Sequence, residues 1–331
     1  MRYFPENIGH RLYLGCLVLL LACCDAATTS PPVVATPQAM LQPVAAGWQI
    51  EPLLTIGTSI DGYWPPGKPD GLGVFTSADG GAALLVNHEL DASAGGEYRL
   101  ANGTRLRGAR ITRLELDREA REVLAAGLAY ERVYDRTGSP VSRAGQINET
   151  GAALDGLSRL CSARAVRAGH YNFENDIFFS GEEVTTGSHP QGGTLWALDV
   201  NARTLWPVNA IGRGAWENVT PLEHPAPQRV ALLASSDIPG APLYLYVGIK
   251  DAASSPGFLE RNGLLDGSLY CWRADDGVTA PRQFHGEGAV RDGHWLALSV
   301  RGTAETCSET GACDRQGYLN SNALQQRALE Q

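Results

Sequence analysis

Three apolar, strand-like runs in this chain each end in carboxylates: Ala83–Glu89, Asp176–Glu183 and Val230–Asp237. Each is followed, after a gap, by a second run of similar type (ITRLELD, GTLWALD, PLYLYVG). A strand that keeps delivering acids to the same end demands a fold in which those ends converge, and radial repetition of sheets does this. Carboxylates brought together repel one another unless a cation neutralises them, so the pattern points to a hard-metal site.

From about Ile50 onward the chain alternates short strands and turns, and its 38 Gly and 19 Pro are spread throughout as many tight turns require. Two hairpins stand out. Ile111–Leu116 turns into Val123–Tyr134, and Thr194–Leu198 turns into Thr204–Val208, both through an Asp-x-x-Ala-Arg sequence. Outer-type strands begin near 111, 194 and 268, at spacings of 83 and 74 residues. With roughly 40–50 residues per blade, each spacing reads as two blades. The expected class is therefore all-β, a six-bladed β-propeller over residues 50–331 with a short, incomplete last blade. A sandwich shares the same strand spacing, but recurrence of acids at one strand end favours the propeller.

The N-terminus reads as an export leader. Arg2 and Arg11 flank a polar stretch before the apolar Leu12–Ala22, a length that suits a signal-peptide core and falls short of a membrane span. Leu20-Leu21-Ala22-Cys23 resembles a lipobox, making Cys23 the expected lipid attachment point, with Cys24 competing. Residues 1–23 are thus a leader and residues 24–49, rich in Pro, Thr and Ala, a tether. The expected location is the periplasm or a membrane-anchored lipoprotein. A net charge of −9 excludes a nucleic-acid partner of the usual kind. In an oxidising compartment Cys307 and Cys313 can close a small loop, whereas Cys161 and Cys271 can pair, be buried or act as ligands.

Asn87, His88 and Glu89 end the first run and offer oxygen and nitrogen donors. Glu182 and Glu183 are adjacent, so in a strand only one of them faces a funnel. Glu217 sits between apolar residues and needs a partner, and Asp237 ends the third run. Tyr63–Phe75 reads as a rigid Pro/Gly loop holding Asp70 before Gly-Leu-Gly. No nucleophile elbow, zinc-protease helix, phosphate-binding loop or dinucleotide fingerprint stands in its required context.

Several segments together resemble the PhoX-type alkaline phosphatases, a bacterial β-propeller family. They are Pro-Pro-Gly-Lys-Pro-Asp-Gly-Leu-Gly (65–73), Leu-Leu-Val-Asn-His-Glu (84–89), Arg-Leu-Cys (159–161) before Phe-Ser-Gly-Glu-Glu (179–183), Gly-Arg-Gly-Ala-Trp-Glu-Asn (212–218), Ser-Ser-Asp-Ile-Pro-Gly-Ala-Pro-Leu-Tyr-Leu-Tyr (235–246) and Gly-Ser-Leu-Tyr (267–270). The resemblance implies a phosphomonoesterase using calcium and iron on a phosphorylated small molecule, as a monomer. It makes Cys161, Glu182 or Glu183, and Glu217 metal ligands and catalytic candidates, with Asp237 on calcium and Asn87, His88 and Glu89 in support. Three features depart from the family. Its members normally carry a twin-arginine leader, whereas this leader has no twin-arginine pair. Gly181 stands where the family has a cysteine, and the sequence ends at Leu324–Gln331, about where the family continues into a Met-Asp-Arg-Pro-Glu-like stretch. The departures keep two alternatives open: a non-catalytic, calcium-stabilised surface propeller, and a calcium-dependent propeller lactonase.

Overall fold

The computed structural model describes residues 40–331 except 78–79, 149–152, 188, 252–256, 281–282, 284–285, 287 and 310, all within one compact unit, Thr36–Gln331. The leader, with Cys23 and Cys24, and most of the tether lie outside the described residues. The described chain is built almost wholly of β-strands.

Sheet 1 has the order β1 (Pro69–Thr76), β2 (Ala82–His88), β5 (Arg110–Asp117), β6 (Glu122–Leu128), with the small ribbon β3 (Tyr98–Arg99) and β4 (Arg105–Leu106) inserted after β2. Sheet 2 is β8 (Leu160–Val166), β9 (Ile177–Glu182), β10 (Leu195–Asp199) and β11 (Thr204–Pro207). Its outer edge is completed by β7 (Arg132–Val133), which pairs in parallel with β11. Sheet 3 is the meander β12 (Trp216–Leu222), β13 (Arg229–Ser236), β14 (Tyr244–Ile249), β15 (Asp266–Ala274) and β16 (Gly293–Leu298). The first strands of the three sheets, β1, β8 and β12, lie against one another in that order.

Sheet 2 is sandwiched between its neighbours, so every residue of β9 and β10 is buried. That explains why these strands read as continuous apolar runs rather than as alternation. Successive residues of β9 serve different cores. Phe178 packs with Phe75, Leu85 and Ile111 of sheet 1, and Phe179 packs with Trp216, Val230 and Leu232 of sheet 3. The contact between sheets 1 and 2 depends on missing side chains. A Cβ on Gly71 would lie 2.4 Å from the Ala163 backbone nitrogen, and one on Gly73 would lie 2.8 Å from the Ala165 Cβ. The Gly-Leu-Gly of residues 71–73 is therefore strand, not the rigid loop that the sequence suggested, and its glycines let β1 approach β8.

Both expected hairpins form, as β5–β6 and β10–β11. Their shared turn has a physical basis. Asp117 Oδ1 accepts the amides of Glu119 and Ala120, Asp199 Oδ1 accepts that of Ala202, and Arg121 and Arg203 adopt φ of 58° and 51°.

The blade arithmetic is corrected by the strand order. The runs near 111, 194 and 268 are β5, β10 and β15, so each interval spans one sheet rather than two. The excess length goes into connections such as the one between β7 and β8. Among the described residues there are three large sheets, not six, and no closed ring is found.

The C-terminal helix α1 (Ser321–Leu329), capped by Asn320 through the amide of Ala323, buries Leu324 and Ala328 in the core between sheets 2 and 3. The expected disulfide Cys307–Cys313 is present just before it. Beside that disulfide the buried Asp314 carboxylate pairs with the guanidinium groups of Arg213 and Arg136, tying the C-terminal segment to the first residues of sheet 3.

Candidate metal centre

A single construction is repeated at the same end of all three sheets. The second residue of each first strand is Asp70, Cys161 or Glu217, and each sits where the pairing register shifts: between Pro69 and Leu72, between Leu160 and Ala163, and between Trp216 and Asn218. Such bulges bend a strand and re-aim a side chain. The residue after each second strand is also acidic. Its amide donates back to the carbonyl two positions before the bulge residue: Glu89 to Lys68 at 2.9 Å, Glu183 to Arg159 at 3.0 Å and Asp237 to Ala215 at 2.8 Å. Each sheet thus contributes one bulge residue and one strand-end acid, fixed to each other by a backbone hydrogen bond.

The three contributions converge. Ligating atoms of Cys161, Glu183 and Glu217 lie within 4.8 Å of one another. The Cys161 Sγ is 3.6 Å from an Asp70 oxygen and 3.7 Å from Glu217 Oε1. Arg159 reaches between two strand-end acids, 2.8 Å from Glu89 and 2.8 Å from Glu183. Asn87 donates to the carbonyls of Cys161 (2.7 Å) and Ser162 (3.2 Å), which pins the β8 bulge from the side of sheet 1. The remaining Asn87 oxygen is buried without a partner. Asn218 holds the Ser162 hydroxyl in the same way from sheet 3.

The electrostatics are those of a site short of positive charge. Partial burial pushes the Glu183 carboxyl up to about 7, with the neighbouring Asp237 adding to the effect. Burial also raises the carboxyl of Glu217, and burial together with Glu217 and Asp70 raises the Cys161 thiol well above its ordinary range. Cys161 gathers here with the carboxylates of Asp70, Glu89, Glu183, Glu217 and Asp237, and Arg159 pairs with only Glu89 and Glu183 of these, a donor set that fits a bound cation better than it fits bare protein.

The predicted residues divide cleanly. Cys161, Glu183 and Glu217 form the centre, and Asp237, Glu89 and Asn87 lie beside or behind it. Glu182 does not join them. Strand alternation turns it inward, where the amides of Ser158 and Thr194 occupy its two oxygens at 2.9 and 3.0 Å. His88 is also excluded, because its ring nitrogens are engaged by Gly67 O (3.0 Å) and Thr112 Oγ1 (2.8 Å), and burial lowers its pKa to about 4. Asp70 was legible only as an acid before two glycines, and Arg159 only as the first residue of Arg-Leu-Cys. Gly181 carries no side chain for a steric reason: a Cβ there would lie 2.0 Å from the Trp216 carbonyl oxygen.

No protein-family model matches the chain, and no curated protein does. Among solved structures it has a distant resemblance to the Pseudomonas fluorescens PhoX in complex with vanadate, a transition state analogue. The identity is 14% and the TM-score 0.44, over 70% of this chain and 49% of that one. The chain therefore spans about half the length of that structure.

Proposed function

We propose that the chain is an exported, metal-dependent phosphatase acting on phosphate monoesters of small molecules, with the Cys161–Glu183–Glu217 cluster as its centre. The observation that carries this reading is the threefold delivery of a bulge residue and a strand-end acid to one point, together with the resemblance of the same segments to PhoX-type sequences. The three sheets are in this reading blades of a propeller, with their first strands innermost.

Cys161, Glu183 and Glu217 would hold a cation, the thiolate suiting iron and the flanking oxygens of Asp237, Glu89 and Asp70 suiting calcium. A cation so held supplies Lewis-acid charge for phosphate oxygens. The chain's own residues keep the donors in place. Arg159 holds the Glu89 and Glu183 carboxylates at a fixed separation, and Asn87 fixes the backbone that carries Cys161. Export, with lipid on Cys23, belongs to the same proposal and rests on the leader sequence alone.

Full-length protein should hydrolyse a chromogenic phosphate monoester when calcium is added and lose that activity to a chelator. Absence of both turnover and bound metal would overturn the reading. Turnover of a lactone in place of the phosphate ester would move it to the lactonase alternative, and calcium-dependent stabilisation without turnover to the non-catalytic one.

A further inference from the structure

A cleft of about 690 Å³ is lined by Tyr63, Trp64, Tyr98, Glu97, Arg99 and Arg110 among others, and by none of the residues of the acidic cluster. Arg110 is 4% exposed. One of its terminal nitrogens donates to Gly96 O at 2.5 Å, and its guanidinium lies 4.6 Å from the centre of the Tyr98 ring. Its Nε is buried without a hydrogen-bond partner, and no carboxylate pairs with it among the described residues. The one acid on the cleft wall, Glu97, is already taken by Arg105 and Arg107. The neighbouring Tyr63 and Thr112 supply no charge to offset it, since their hydroxyls share a hydrogen bond of 2.8 Å.

A buried cation without a counter-ion is costly, and a guanidinium with spare donors is suited to an oxyanion that presents two oxygens side by side. The walls beside it are flat rings, with Trp64 62% exposed at the mouth. We infer that this cleft binds a small aromatic oxyanion, its carboxylate or phosphonate-type head on Arg110 and its ring between Tyr63, Trp64 and Tyr98. Binding here does not require the acidic cluster.

The test is calorimetric titration of the full chain with benzoate and with phenylphosphonate, using benzyl alcohol as the neutral control. Both anions should bind, and benzyl alcohol should bind at least tenfold more weakly. Arg110→Met should weaken anion binding at least tenfold, about 1.4 kcal/mol, while leaving the melting temperature unchanged or higher. Trp64→Ala, at an exposed position, should weaken both anions several-fold without loss of fold. With the protein kept in chelator so that the metal centre offers no cation to phosphonate, Cys161→Ser should leave both affinities unchanged, which separates this cleft from the metal centre. Equal affinity for benzyl alcohol and benzoate, unaltered binding in Arg110→Met, or no anion binding at millimolar concentration would each overturn the inference. If Arg110→Met fails to fold, the neutral control and Trp64→Ala decide it.

Discussion

Strand β2 ends between two charge environments of opposite sign. Asn87 and Glu89 face the first, where carboxylates and a thiol gather and Arg159 pairs with only Glu89 and Glu183. His88, between them in sequence, faces the second, where among the described residues no carboxylate pairs with the buried Arg110. A third charged group, Arg136–Asp314–Arg213, is buried too, but its ions touch directly at 3.3 Å. Charges that exist to hold the fold find partners within it, as at Asp314. The clusters on either side of β2 are left unbalanced by the fold, and the two proposals above complete each with something of the opposite sign from outside: a cation at one, an anion at the other.

The sharpest way to break that contrast uses two adjacent residues. Glu183→Gln and Glu217→Gln should lower metal affinity and phosphatase activity by more than the roughly 10–100-fold that loss of an outer partner costs. Glu182→Gln should leave both nearly intact and cost about 1–3 kcal/mol of stability, since an amide nitrogen cannot accept from Ser158 or Thr194. Equal losses of activity in Glu182→Gln and Glu183→Gln would erase the distinction between the two residues.

Asp314→Ala should destabilise the chain by about 3–5 kcal/mol in chemical denaturation, because it strips a buried carboxylate from two guanidinium groups. Activity per folded molecule should be unchanged.

His189 provides a pH handle away from the metal centre. Burial, aided by Arg213 and Arg136, lowers its pKa to about 4, against an unfolded value near 6.5. Its contribution to stability is complete above pH 6.5 and is lost as pH falls towards 4, by no more than about 3 kcal/mol. His189→Gln should flatten the difference in melting temperature between pH 7 and pH 5.

Gly71→Ala should cost about 1–3 kcal/mol by forcing β1 off β8, and it should also loosen Asp70 beside it.

The buried second and third strands were legible because their continuous apolar runs, DIFFSGEE and TLWALD among them, follow from a sheet covered on both faces. The repeated Asp-x-x-Ala-Arg turn was legible because its Asp side chain closes the turn locally. The three first strands were hidden. β1 is Gly-rich to fit against β8, and β8 and β12 are interrupted by the bulges that aim Cys161 and Glu217, so none shows a clean strand period. The acids at 89, 183 and 237 could be seen because they follow apolar runs, but Asp70 could not be joined to them without the sheet packing. Alternation allows only one of Glu182 and Glu183 to face the cluster, and Glu183 is the one beside Cys161 and Glu217. Nothing in the sequence near His88 showed that Thr112 and Gly67 would take its ring. The six-blade expectation failed because insertions lengthen each sheet's share of the chain.

The central claim is that the three sheets jointly build a metal centre. Its most direct measurement is the metal-to-protein ratio, by elemental analysis, of the full chain and of the Cys161→Ala/Glu217→Gln double variant. The account predicts at least one tightly held ion per chain in the parent and its loss from a double variant that remains folded. A parent free of stoichiometric metal after calcium and iron have been supplied, or a double variant that retains the full complement, would contradict it.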